Sequence, residues 1–288
     1  MSADPGPGIR NGRPGARSNL QLRVMSALVL AAAVLALTWW GGAAFRLFCV
    51  ALALAVFYEW SSLARERHSP ANRAGAWLLF VAALSALAAG MDALTVFGAL
   101  LIAAAGAALA GLLLKEGAGL GAGIAYAALP AAALAFLRGD GAAGLWAILF
   151  LFTCVWATDI AAYFAGRHFG GPKLAPAISP SKTWSGAMGG AAAAAAGGGV
   201  IAAIGPSAIG VGAAILIALA VSVVSQFGDL FESAYKRRHD AKDSGNLIPG
   251  HGGVMDRVDG LVAAAVALYL FGAAFGGPGK PAMGLFSG

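Results

Sequence analysis

The chain has 288 residues, of which 59% are apolar and only 11% charged, whereas soluble domains carry roughly 25% charged residues. That balance excludes a soluble globular chain and leaves an integral membrane protein. The net charge of +6 reads as membrane topology and contact with an anionic inner leaflet, so nucleic-acid binding is an unnecessary inference.

The chain opens with a polar stretch, residues 1–24, rich in Pro and Gly and carrying Arg10, Arg13, Arg17 and Arg23. It reads as a disordered cytoplasmic tail. A cleaved signal peptide is the competing reading, but Met25 to Trp40 ends in bulky aromatics without a small-residue cleavage site. Apolar runs then recur almost to the C-terminus, long enough to cross a ~30 Å hydrocarbon core as helices. Ala, Leu and Gly dominate them and strand alternation is absent, so the fold class is all-α and polytopic. Breaks at Gly, Pro and charge predict nine spans near 25–40, 43–63, 74–89, 93–114, 119–137, 143–165, 185–204, 207–231 and 258–275. Residues 25–142 are expected to form the N-terminal transmembrane helices and 143–288 a second transmembrane region whose polar loops make it the candidate catalytic part. Cys49 and Cys154 fall inside spans, where apolar surroundings make a thiol inert.

An odd number of spans puts the termini on opposite sides. With the N-terminus inside, all but three of the 19 Lys and Arg fall on the cytoplasmic side, leaving Arg46, Arg138 and Lys280 outside. This bias predicts a multi-pass cytoplasmic-membrane protein with its N-terminus and its polar loops inside. In the seventh span Gly186, Gly190, Ala194 and Gly198 recur every four residues, a stripe for close helix packing, with a flexible gate as the alternative. No repeat relates the two halves, which argues against a transporter built from inverted repeats.

Candidate site groups concentrate between residues 156 and 259; the first five spans contain little beyond loop charges. Asp159 lies within a span, where an ionisable group is a functional candidate and a structural partner for a buried Arg or hydroxyl is the rival reading. Ser181, Lys182 and Thr183 precede the seventh span, placing hydroxyls, backbone N–H groups and a helix N-terminus where anionic oxygens could bind. A plain helix cap beside a juxtamembrane lysine accounts for the same residues. Two polar inside loops, Gly166 to Lys182 and Glu232 to Arg257, are too long to be simple turns.

The second loop carries the stronger signal. Asp229 and Glu232 stand one turn apart at the end of the eighth span, and Asp256 and Asp259 share a face at the start of the ninth. Asp229, Asp256 and Asp259 offer hard oxygens suited to Mg²⁺, which keeps waters and substrate phosphates as its other ligands. Lys236, Arg237, Lys242 and Arg257 supply charge for phosphates. Pro249, Gly250, Gly252 and Gly253 let the backbone turn tightly and approach a ligand. Lys236, Arg237 and Arg238 alone would read as a polybasic membrane anchor, but the accompanying aspartates would weaken such an anchor. Together the residues describe metal-assisted phosphate chemistry at the cytoplasmic membrane surface.

From Ser233 to Asp259 the chain resembles the signature of phosphatidate cytidylyltransferases: Ser, two residues, Lys-Arg, four residues, Lys-Asp, a Gly, a Pro-x-His-Gly-Gly turn and Asp-Arg-x-Asp. The blocks at Asp159, Ser179 to Thr183 and Gly228-Asp229 are similar too, so the resemblance covers roughly residues 150–275, while the first five spans match only in being apolar. Tyr235 stands where that family usually has an aliphatic residue or Phe, and Ser185 where many members carry Glu. The resemblance implies an enzyme, working as a homodimer, that transfers CMP from CTP to phosphatidic acid in the membrane lipid, with Mg²⁺ and room for a second metal ion. It implies Asp229, Asp256 and Asp259 at the metal; Asp229, Lys236 and Asp256 in catalysis; and Ser181, Lys182, Lys236, Arg237, Lys242, His251 and Arg257 at substrate. Asp159 and Asp243 stand beside these sets. His251 is expected to contact phosphate or brace the turn. A CTP-dependent polyprenol or phytol kinase, which shares a related Asp and His-Gly-Gly pattern, is the rival enzyme; a transporter for an anionic solute is the rival of another class.

Overall fold

The computed structural model describes residues 16–248 and 252–287, with side chains described from residue 24. Its helices are α1 (Ala16–Trp40), α2 (Gly42–Leu63), α3 (Pro70–Ala88), α4 (Ala93–Leu113), α5 (Gly119–Arg138), α6 (Ala142–Phe169), α7 (Trp184–Ile204), α8 (Gly210–Arg238) and α9 (Met255–Gly276). The polytopic all-α architecture follows the sequence reading. Among the described residues eight helices, α2 to α9, are long and apolar enough to cross a membrane; the apolar part of α1, Val24–Trp40, is shorter.

Three boundaries differ from expectation. α1 begins at Ala16, so the described end of the supposed disordered tail is helical, while residues 1–15 lie outside the described residues. α8 runs to Arg238, so the stretch from Glu232, expected in a loop, continues the helix. No Gly or Pro interrupts it, and Lys236, Arg237 and Arg238 complement the negative end of the helix dipole. Finally, the loop after α6 folds into a hairpin of β1 (Lys173–Ala175) and β2 (Ser179–Thr183), antiparallel with Lys173 opposite Thr183.

α5 is the centre of the bundle: 67% of its apolar stretch is buried, against at most 44% in any other span. Small residues let its neighbours approach, as expected where lipid gives no hydrophobic drive to helix association. A Cβ added to Gly121 would stand 2.7 Å from the Ala108 backbone nitrogen of α4. The stripe on α7 works as the sequence suggested. Gly186, Gly190, Ala194 and Gly198 are all buried, and a Cβ at Gly186 or Gly190 would meet the Ala162 or Thr158 carbonyl of α6 at 2.7 and 2.8 Å.

The bundle has two unlike ends. Where α1, α2 and α5 meet α6, Arg138 is 4% exposed and donates to the carbonyls of Thr38, Trp39 (3.0 Å), Gly139 (3.2 Å) and Gly141 (3.1 Å). Gly41, at φ +67°, has no side chain to collide with that guanidinium: a Cβ there would come within 2.5 Å of it. At the opposite end, α2 closes onto α8. Trp60 stacks on Tyr235 at 3.7 Å, the Tyr235 hydroxyl donates to the Trp60 carbonyl at 3.3 Å, and Arg67 donates to the Arg238 carbonyl at 2.8 Å. Tyr235, the departure from the usual aliphatic residue or Phe, thus joins the two helices through both its ring and its hydroxyl.

Candidate active site

At the α2–α8 end, α6, the hairpin, α7, α8 and α9 enclose a cavity of about 770 Å³. Helix α8 meets α9 through bare backbone: a Cβ at Gly228 would stand 2.7 Å from the Asp259 carbonyl, and one at Gly260 would stand 2.5 Å from the Ser225 hydroxyl. That contact brings Asp229 and Asp259 to the same cavity wall, and Asp159 reaches it from α6. Thr183 accepts from the Gly186 N–H at 3.1 Å and so caps α7, while the Trp184 N–H bonds the Pro172 carbonyl at 3.1 Å and closes the hairpin. These bonds carry Lys182 inward, where it forms an ion pair with Asp229. The second Asp229 oxygen accepts from Ser233 at 3.4 Å.

A second charged group lies beside the cavity. Lys236 bridges Glu232, at 2.8 Å, and Asp256, at 2.7 Å. The remaining oxygen of Asp256 accepts from the Ser244 N–H (2.9 Å) and the Gly253 N–H (3.0 Å). Both Asp256 oxygens are therefore engaged, and the carboxylate ties α8, the α8–α9 loop and the start of α9 together.

Of the residues singled out from sequence, Asp159, Ser181, Lys182, Asp229, Asp256, Arg257 and Asp259 line the cavity. Lys236 stands behind it as the bridge just described. Arg237, Lys242 and Asp243 are exposed and are not part of the lining. In a helix each residue is turned about 100° from the one before it, so once α8 extends through Arg238, Arg237 faces away from Lys236. His251 lies outside the described residues. Ser185 donates to the Gly170 carbonyl and does not line the cavity.

Sequence reasoning missed several residues. Arg167 and Lys173 line the cavity with Thr158 and Gln226; in the sequence the two bases register only as topology charges. Arg167 donates to Tyr163 at 2.9 Å. Glu232, which the sequence places one turn from Asp229 without a role, is fully buried. Glu59, in α2, is 1% exposed and accepts bonds from the signature loop. For Glu59 the available signal was an acid inside an apolar span.

Among the described residues no three His, Cys, Asp or Glu side chains converge closely enough to enclose a metal ion by themselves. The donor set still fits Mg²⁺, which commonly takes one or two protein carboxylates and completes its shell with water and substrate phosphate. Asp229 and Asp259 suit that role as hard oxygens lining the cavity, Asp229 once Lys182 is displaced, whereas Asp256 is held by Lys236 and by two backbone N–H groups.

The bases supply the complementary half of the chemistry. Arg167, Lys173, Lys182 and Arg257 converge on the cavity from separate elements, an arrangement for a polyanion rather than a single charge. The family model described as the cytidylyltransferase family matches residues 21–275. The chain belongs to that family. The chain is 52% identical over 274 residues, 94% of its own length and 99% of the relative's, to the phosphatidate cytidylyltransferase of Brucella suis biovar 1. It is 53% identical over 265 residues to that of Brucella abortus biovar 1, covering 91% and 96% of the two chains. With the phosphatidate cytidylyltransferase of Bacillus subtilis it shares 42% identity over 132 residues, 46% of its length and 49% of the relative's. The family match includes the N-terminal helices, which the motifs do not reach.

Proposed function

We propose that this chain transfers CMP from CTP to phosphatidic acid, releasing pyrophosphate and leaving CDP-diacylglycerol in the membrane, with the cavity end facing the cytoplasm. The observation that carries the reading is a cavity, open among membrane helices, that sets Asp229 and Asp259 against Lys182 and Arg257 in a chain whose relatives bear the name phosphatidate cytidylyltransferase. A phosphate oxygen of phosphatidic acid forms a bond to the α-phosphorus of CTP. The bond from that phosphorus to the bridging oxygen breaks, and its electron pair leaves on pyrophosphate. The nucleophile is already anionic, so no strong base is required of the protein; orientation and charge neutralisation carry the rate. Arg257, Arg167 and Lys173 hold phosphate oxygens. Lys182, paired with Asp229 in this structure, exchanges that partner for a phosphate when the triphosphate enters. Mg²⁺, held by Asp229 and Asp259, would neutralise the triphosphate and polarise the leaving oxygen. The orientation is supported by Arg46, Arg138 and Lys280, the bases kept off the cavity side by the positive-inside rule.

One assay tests both parts. CTP labelled separately in the α- and γ-phosphates is supplied to inverted and to right-side-out membrane vesicles containing the protein and phosphatidic acid. We expect α-label in lipid and γ-label in pyrophosphate, from inverted vesicles only. γ-Label in lipid would identify a lipid kinase, and incorporation by sealed right-side-out vesicles alone would reverse the orientation.

A further inference from the structure

Helix α9 begins without a cap from its own chain neighbours: Val254 at the N-cap position makes no side-chain bond to the first turn. Helix N-termini leave backbone N–H groups that need acceptors. Here the acceptor comes from α2. Glu59 accepts from the Val254 N–H through Oε1 (2.8 Å) and from the Met255 N–H through Oε2 (2.8 Å). Oε2 also accepts from the Ser244 hydroxyl at 2.9 Å. All three partners are donors, so the geometry calls for a carboxylate with acceptors on both oxygens. No Lys, Arg or His among the described residues forms an ion pair with it; the positive end of α9 takes that place.

The loop is shaped around this carboxylate. A Cβ at Gly245 would stand 2.8 Å from Oε1, and one at Gly253 would stand 2.6 Å from Oε2. Ser244 is shared: its hydroxyl bonds Glu59, while its N–H bonds Asp256. Asp256 in turn fixes Lys236, and Arg257 and Asp259 follow within the first turns of α9. Among its described residues the signature stretch supplies no side-chain cap of its own at Val254.

We propose that Glu59 is a positioning residue for the cavity: from the N-terminal half it caps α9 and holds Ser244, which fixes where Asp256, Arg257 and Asp259 stand. The proposal rests on the cytidylyl-transfer reading for its kinetic consequence and on geometry alone for its structural one. Glu59→Gln puts an amide donor where two N–H groups and a hydroxyl already donate. Displacements of about 1 Å at reacting groups can cost on the order of 10²-fold in rate, and we expect a loss of kcat near that size with a much smaller change in KM for CTP. Ser244→Ala, which removes one donor and leaves the helix cap, should lower kcat less. Added to Glu59→Gln it should lower kcat little further, because both changes act through one contact.

The structural readout needs no turnover. Limited trypsin digestion of the full-length protein in detergent should cut Glu59→Gln faster at Lys242, in the α8–α9 loop, and at an unchanged rate at Lys115, in the α4–α5 turn. Equal acceleration at both positions would mean a general loss of fold and would overturn the positioning role. Wild-type kcat and wild-type cleavage at Lys242 in both variants would also overturn it. If the wild-type protein transferred no CMP, the functional reading would fall, while selective cleavage at Lys242 would still decide whether Glu59 holds the loop.

Discussion

At one end of the bundle Arg138 directs its guanidinium entirely at backbone carbonyls; at the opposite end, Lys182, Arg167, Lys173 and Arg257 line an open cavity with aspartates. Both ends bring charge into a protein that is largely apolar. The difference lies in what answers the charge. Carbonyls are fixed, neutral and already part of the backbone, so Arg138 is satisfied once the chain folds and nothing remains to bind. Carboxylates and ammonium groups facing a cavity can exchange partners, and the Lys182–Asp229 pair can open toward a phosphate and a cation. A buried charge in a membrane protein is thus structural or functional according to whether its partner can be displaced.

The largest effect should come from removing that exchangeable charge. Asp229→Asn and Asp259→Asn keep the size of the side chain and remove a carboxylate from the cavity wall. Each should lower CMP transfer by about 10²- to 10³-fold while the purified protein remains monodisperse in detergent. Activity close to wild type at saturating Mg²⁺ would show that the cavity carboxylates are structural, as Arg138 is. Arg138→Met should do the opposite. It leaves the carbonyls of Thr38, Trp39, Gly139 and Gly141 without their donor and should cost about 3 kcal/mol of stability. The loss would be read as a lower midpoint for heat-induced aggregation, with the turnover of protein that stays folded nearly unchanged. A large fall in kcat without loss of thermal stability would erase the contrast between the ends. The smallest effect belongs to Arg237→Ala and Lys242→Ala, outside the cavity lining. Each should cost under about 1 kcal/mol, less than a fivefold change in rate, and clearly less than Lys182→Ala in the same transfer assay.

These expectations differ from a reading of the motif alone because spacing does not say which way a side chain faces. Asp159 is legible in the sequence because an acid amid apolar residues is costly to hold in a membrane unless it acts there, Asp229 and Asp259 because their spacing and hard oxygens suit Mg²⁺, and the α7 stripe from its period of four. Arg237 and Lys242 have the spacing of substrate-binding bases, but α8 continues through Arg238 and both side chains are exposed outside the cavity lining. Asp256 has the spacing of a metal ligand, but its backbone partners Ser244 and Gly253 lie in a loop whose path no local pattern reveals. Arg167 and Lys173 are hidden in the sequence because topology already accounts for bases on inside loops. Glu59 is visible as a residue and unreadable as a contact, because its donors lie 185 to 196 positions away.

The bare crossing of α8 and α9 at Gly228 has a consequence for tuning this protein. With nothing but hydrogen on that Cα, the Asp259 carbonyl and the Ala263 methyl would lie only 2.7 and 2.8 Å from an added Cβ. An alanine there would act as a shim. It would widen the gap between the two helices that carry Asp229 and Asp259 while leaving both side chains chemically intact. Substitution at this one position therefore adjusts a spacing rather than a charge, and it offers a mechanical handle on the span between two carboxylates that no change to the carboxylates themselves could give.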